Sequence, residues 1–187
     1  VDEKFNIKPL KKHISSSEFT YILDLLKTND FKKNLLVFEL NSKKKIILVS
    51  IKKNIESYDI ENLGAEFYNR INHGKNCEYH INSDTIIVRQ NEFIGHFLHG
   101  LKLKSYKFDK YKTKKEKRVI TIDIIGSKNK LSIKDQIRFQ SIEEGTFYAR
   151  DLVSEPGNIL HPDEYAKRLS SLKKDGLKIN IYDQKKL

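Results

Sequence analysis

The residues in this chain that could carry chemistry are its six histidines, its single cysteine and a few serines. His73, Cys77 and His80 lie close together, and the Cys-x-x-His spacing is compatible with zinc. A closed tetrahedral site needs four ligands, and no complete set is evident around them, so they read as ordinary polar loop and helix positions. His96 and His99 sit at i, i+3 of a predicted helix and can face one side. With no carboxylate of obvious placement to orient them, they read as interface or surface histidines. Ser15-Ser16-Ser17 reads as a helix cap rather than a nucleophile. Ile125-Gly126-Ser127 follows a predicted strand, but one glycine does not make a phosphate-cradling loop. On these grounds no catalytic, cofactor-binding or metal-ligating residue is assigned within the chain.

The elements that would position such residues follow from periodicity. Ser15 to Thr28 reads as a helix, with a capping box at Ser15 and Glu18 and an apolar stripe of Phe19, Ile22, Leu23 and Leu26. Leu35 to Leu40 and Lys45 to Ile51 read as strands of a hairpin around Asn41-Ser42-Lys43. Asp59 to Ile71 and Asn91 to Leu103 read as helices, the first with Ile60, Leu63, Phe67 and Ile71 on one face, the second with Phe93, Ile94, Phe97, Leu98 and Leu101 inside. Thr85 to Val88 reads as a short strand. Arg118 to Ile125 is nearly continuous in β-branched residues, which predicts burial on both faces. Ser132 to Ser154 is a long helix, and Pro162 to Lys174 another, closed by Gly176. Lys178 to Tyr182 alternates as a strand. The interleaving predicts an α/β fold, a mixed sheet covered by helices, with Lys110 to Arg118 as a mobile loop.

Composition narrows the class. The chain has 187 residues, 38% of them hydrophobic, with ten Phe and nine Tyr, enough for a core, and 33% charged. It shows no apolar run of membrane-spanning length and no charged-then-apolar leader. It begins with Val and contains no Met, so Val1 is expected not to be the native start and truncation is expected. The single Cys77 excludes an internal disulfide framework and fits a reducing cytoplasm. The formal charge of +11 suggests a nucleic-acid surface, but the excess is Lys spread among Ile and Asn. Arg occurs only at Arg70, Arg89, Arg118, Arg138, Arg150 and Arg168. A groove reader favours the planar guanidinium fork, so nucleic-acid binding is possible but not favoured.

Two stretches carry a family resemblance. Gly145 to Ala166 reads GTFYARDLVSEPGNILHPDEYA, in which Pro156 ends one helix, Gly157-Asn158 offers a left-handed turn, and Pro162 stands in the first turn of the next helix. This string resembles the ARDLVN-x-PxN-x-L-x-P-x-x-x-A junction of the leucyl (cytosol) aminopeptidases. Gly95 to Thr113, GHFLHGLKLKSYKFDKYKT, resembles that family's EG-x-x-L-x-x-Y-x-F-x-x-Y motif through Tyr106, Phe108 and Tyr111. Asn62-Leu63-Gly64 stands where the family has a Leu-Gly in a helix. The chain departs from the pattern at His99, where Glu is commoner before the glycine, and at Ser154, where Asn is common. The likeness covers the second half of the chain well and the first eighty residues poorly.

The resemblance implies a macrodomain-like N-terminal α/β domain over residues 1–131, a linking helix over 132–154, and the beginning of a truncated peptidase catalytic domain over 155–187. It implies that the complete protein is a cytoplasmic homo-hexamer releasing N-terminal amino acids from peptides. Two divalent ions, Mn²⁺ or Zn²⁺, would serve there, held by motifs like VGKG-x-T-x-DSGG and NTDAEGR. Neither motif occurs here, so the chain alone is expected to hold no metal and to be inactive. The alternative is a basic nucleic-acid-binding or oligomer-assembly module without peptidase activity. Tyr165, Leu169 and Leu172, with the strand at Ile179 to Tyr182, form faces that a lone helix and strand cannot bury. That tail is therefore expected to be disordered, or packed opportunistically, when isolated.

Overall fold

A computed structural model describes residues 1–28, 34–73, 77–86, 88, 92–114, 119–183 and 186. Five helices are described: α1 (Ser16–Thr28), α2 (Ser57–Ile71), α3 (Phe93–Lys104), α4 (Ile133–Ser154) and α5 (Pro162–Ser171). Four strands accompany them: β1 (Leu35–Asn41), β2 (Lys44–Val49), β3 (Cys77–Asn82) and β4 (Ile120–Ile125). The α/β class holds, with both strand polarities present in two ladders. β1 and β2 pair antiparallel, Leu35 opposite Val49, while β3 and β4 pair parallel, Cys77 opposite Ile120. The chain forms two compact units, Val1–Glu143 and Glu144–Leu187, divided inside α4.

Local chemistry accounts for most boundaries. The capping box at α1 forms: the Ser15 amide donates to Glu18 Oε2 at 2.9 Å and the Glu18 amide donates to Ser15 Oγ at 3.3 Å. The hairpin closes on Asn41, whose Oδ1 accepts from the Lys43 and Lys44 amides at 2.9 Å each. In α1 the buried stripe is Phe19, Ile22 and Leu26, and Leu23 is exposed.

In the first unit the β1–β2 hairpin has a core on each face, as strand alternation requires. Leu36, Phe38 and Leu48 join Phe5, Ile7 and the α1 stripe. Leu35, with Ile47 and Val49, packs with α2, α3 and the β3–β4 pair. α2 contributes Ile60, Leu63, Phe67 and Ile71, and α3 contributes Phe93, Ile94 and Phe97. The two helices cross closely because each presents a glycine to the other. A Cβ on Gly64 would stand 2.0 Å from the Phe97 carbonyl oxygen, and one on Gly100 would stand 1.9 Å from that of Glu61.

Several expectations are corrected. Cys77–Asn82 is a strand, whereas Ser83–Thr85 is a 3₁₀ turn, so the strand expected over Thr85 to Val88 lies earlier in the chain. β4 is buried on one face only: Ile120, Ile122 and Ile124 are partly buried, while Thr121, Asp123 and Ile125 face out. Its β-branched run reflects strand propensity rather than two-sided cover. Ile87, Asn91, Arg118 and residues 115–118 of the expected mobile loop lie outside the described residues.

The second unit holds the end of α4, the turn after it, and α5. α5 stops at Ser171, and a 3₁₀ turn over Leu172–Asp175 carries the chain to Gly176, whose φ of +88° provides the expected cap. Among the described residues 178–182 join no ladder, which corrects the expected strand. A strand needs a partner edge, and alternation alone does not supply one. No described helix is long and apolar enough to cross a membrane.

Candidate functional site

The histidine pair of α3 does have carboxylate partners, which corrects the reading of His96 and His99 as interface or surface residues. His96 Nδ1 lies 2.8 Å from Glu61 Oε1 on α2, and His99 Nδ1 lies 3.0 Å from Glu143 Oε1 on α4. The Phe139 ring from α4 stands edge-on to His96 at 5.1 Å and tilted against His99 at 5.3 Å. Gly95 leaves room for that ring, since a Cβ there would come within 2.3 Å of it. His99 is only 6% exposed. An imidazole oriented by a carboxylate can act as a base when a nucleophile or bound water adjoins it. Here the contacts tie α2, α3 and the first half of α4 together, a positioning role. Sequence reasoning missed the partners because they stand 35 and 44 residues away.

The Cys-x-x-His pair cannot chelate one ion. In strand β3, residues three apart point to opposite faces. Cys77 sides with Tyr79 and Ile81 against the core, and His80 projects outward. There His80 Nε2 lies 3.4 Å from Glu78 Oε1, and its Nδ1 lies 3.9 Å from Asp123 Oδ2 across the parallel ladder. Among the described residues this trio is the cluster with metal-compatible spacing, and all three are exposed. Each ring nitrogen faces one carboxylate on an open surface. A two-metal centre needs bridging carboxylates in an enclosed site, so these residues do not fit one, and no chemical step is derived through a metal here.

The glycine after β4 is also resolved in function. Gly126 takes φ +105°, and the Ser127 and Lys128 amides that follow point at one carboxylate oxygen, Asp84 Oδ1, at 2.9 and 2.8 Å. Successive amides of this kind form an anion-binding nest, but its anion is internal. These bonds, the Lys128 amide first, hold the Asp84 carboxyl below its usual range. Buried Ser83 donates to the Ile125 carbonyl at 3.0 Å and completes the lock.

In the second unit the polar junction is the tightest feature. Glu155, whose side chain is 1% exposed, accepts from Arg168 Nη1 at 2.8 Å, and Arg168 Nε donates to Glu164 at 2.9 Å. Glu155 and then Glu164 hold the guanidinium above its usual range, and Arg168 in turn lowers that of Glu164. The Tyr148 hydroxyl donates to the Arg168 carbonyl at 2.8 Å. The turn itself is not left-handed: Gly157 and Asn158 have no positive φ. Instead the Pro156 carbonyl accepts from the Ile159 and Leu160 amides at 2.9 Å each. The junction string thus builds a charged clasp between the end of α4 and α5.

Comparison with known proteins agrees with this architecture. No protein-family model matches the chain. A probable cytosol aminopeptidase of Methylorubrum populi is 39% identical over 97 residues, covering 48% of this chain and 19% of the relative. One of Rhodopseudomonas palustris is 32% identical over 141 residues, covering 70% of this chain and 27% of the relative. The chain therefore spans roughly a fifth to a quarter of the length of these relatives. A tomato leucine aminopeptidase variant superposes with a TM-score of 0.69 at 19% identity, over 91% of this chain and 36% of that one. The bottromycin maturation enzyme BotP in complex with Mn superposes with a TM-score of 0.63 at 15% identity, over 86% of this chain and 35% of that one. The structural likenesses show the shared α/β fold, and with the sequence identities they place the chain in the leucyl (cytosol) aminopeptidase family, over that family's N-terminal region.

Proposed function

We propose that this chain is the N-terminal portion of a metal-dependent aminopeptidase that releases N-terminal amino acids from peptides. The observation that supports this reading is the 32% identity over 141 residues to a curated probable cytosol aminopeptidase. In the complete enzyme, residues 1–131 form the N-terminal domain, 132–154 the linking helix, and 155–187 the opening of the catalytic domain. The complete enzyme works in the cytoplasm as a homo-hexamer. Two divalent ions, Mn²⁺ or Zn²⁺, supply an activated water and polarise the scissile carbonyl there. This chain contributes no ligand to them. Its own residues set the geometry: Glu61, Glu143 and Phe139 hold α2, α3 and α4 around His96 and His99, and the Glu155–Arg168 clasp sets the turn after α4.

Release of p-nitroaniline from leucyl-p-nitroanilide with Mn²⁺ or Zn²⁺ tests the proposal. The chain alone gives no turnover. The chain joined to a catalytic half carrying GKG-x-T-x-DSGG and NTDAEGR motifs gives metal-dependent turnover. Chelator-sensitive activity of the chain alone overturns the assignment of no catalytic residue. An inactive but folded joined protein overturns the aminopeptidase reading.

A further inference from the structure

The β3–β4 ladder turns one face to the core and the other to solvent, and the solvent face gathers three side chains that can hold a cation. Alternation along β3 puts Glu78 and His80, two residues apart, on that face. The parallel register then sets Asp123 directly opposite His80. Glu78 Oε1 and Asp123 Oδ2 stand 3.4 and 3.9 Å from the His80 ring nitrogens they face. One donor atom from each of the three residues lies within 4.8 Å of the other two, and among the described residues no other set of His, Cys, Asp and Glu does so. Cys77 takes no part, since the same alternation sends its thiol to the opposite face.

The charges around the trio favour a cation. The chain has 36 Lys and Arg, yet among the described residues neither Glu78 nor Asp123 pairs with one of them. Their common neighbour is an imidazole, which in its neutral form offers a lone pair. Two carboxylates and a neutral imidazole carry two negative charges, which one divalent ion balances. The donor types select among ions. Mg²⁺ and Ca²⁺ are bound through oxygen, whereas an imidazole nitrogen with two carboxylate oxygens suits Zn²⁺. Zinc bonds of about 2.0–2.2 Å in a tetrahedron set ligand atoms about 3.4 Å apart. Rotation of three exposed side chains closes the present spacing to that value.

We propose that Glu78, His80 and Asp123 form a surface site for one Zn²⁺ ion, with water in its fourth position. His80 presents one ring nitrogen to the ion and keeps the other for water. The role of the ion is structural: it clips β3 to β4 across the parallel ladder. It stabilises the first unit because the three ligands come together only when those strands are paired.

Calorimetric titration of the chain with Zn²⁺, repeated with Mg²⁺, tests the site. One Zn²⁺ per chain is expected, with binding at least about tenfold weaker in each of His80→Ala, Glu78→Gln and Asp123→Asn. All three positions are exposed, and the two amide variants keep the side-chain shape, so weaker binding reports a lost ligand. His161→Ala, at an exposed histidine of the second unit, is expected to leave the affinity unchanged. No binding, equal affinity in the chain and its three ligand variants, or Mg²⁺ binding as tight as that of Zn²⁺ overturns the site. Hydrogen exchange reads the clip. Saturating Zn²⁺ is expected to raise protection several-fold at amides of Cys77–Asn82 and Ile120–Ile125, and to leave them unchanged in His80→Ala. Zn²⁺ that binds without slowing exchange in either strand overturns the cross-strand role.

Discussion

The two units of this chain are held together by different physics. In Val1–Glu143 the buried residues are a large apolar set, with Ile22, Leu35, Ile60, Ile71 and Ile94 almost fully enclosed. In Glu144–Leu187 the buried residue among those described is a carboxylate, Glu155, while Val153, Tyr165, Leu177 and Tyr182 are exposed. The first unit rests on apolar burial and the second on a charged clasp. A buried ion pair contributes little net stability, because desolvating the charges offsets their attraction, and a helix with one extended segment has too little surface to close a core. The difference teaches that the second unit leaves large apolar side chains exposed. Its order depends on a few polar bonds.

That contrast can be broken experimentally. The largest effect is expected from Gly64→Val or Gly100→Val, which thrust side chains into the facing backbone at 2.0 and 1.9 Å. A loss above about 4 kcal/mol is expected, seen as failure of the first unit to unfold cooperatively in denaturant. A near-normal midpoint would mean that α2 and α3 can slide apart cheaply. Ile60→Ala should cost about 2–5 kcal/mol by the same measurement. In the second unit Glu155→Ala should abolish hydrogen-exchange protection of α5 while leaving the urea midpoint of the first unit within error. Loss of both together would sink the distinction between the units.

A smaller effect concerns acid. Because the folded Asp84 carboxyl titrates below its usual range, its stabilisation is fully present above the unfolded value. It is lost as pH falls through the depressed folded value. Asp84→Asn should therefore lower the first unit's stability at neutral pH and flatten its acid limb, the two curves converging as pH falls. An unaltered limb in the variant would show that the amide nest contributes nothing. Last, Val153→Ser, at a site 88% exposed, should shift stability by less than about 0.5 kcal/mol. A large loss would reveal cover over that face.

Much of the fold was legible in the residues. The 3.6-residue stripes of α1, α2 and α3, the Ser15–Glu18 box, the Asn41 turn and the Gly176 cap are local signals, written within a few positions of what they specify. The α3 glycine at 100 was visible as part of a motif, but its use was not, because it depends on Glu61 arriving from another helix. β3 escaped notice because CEYHIN alternates a thiol, a phenol and an isoleucine with polar residues, a weak signal until β4 pairs with it. The strand expected at 178–182 failed for the opposite reason, a clear alternation with no edge to join.

The candidate site divides along the same line. Spacing along the chain settled that His96 and His99 share a helix and that Pro156 and Pro162 bracket a junction. Strand geometry alone was enough to part Cys77 from His80, once the segment was known to be a strand. Only the tertiary structure decided that Glu61 and Glu143 meet the two histidines, that Asp84 fills the amide nest after Gly126, and that Arg168 reaches Glu155. Residue type and near-neighbour spacing determine local conformation, because backbone hydrogen bonds and side-chain periodicity act over a few residues. Which charges and edges meet depends on how the helices and strands pack. That is set by burial summed over the whole core, and it brings together residues dozens of positions apart.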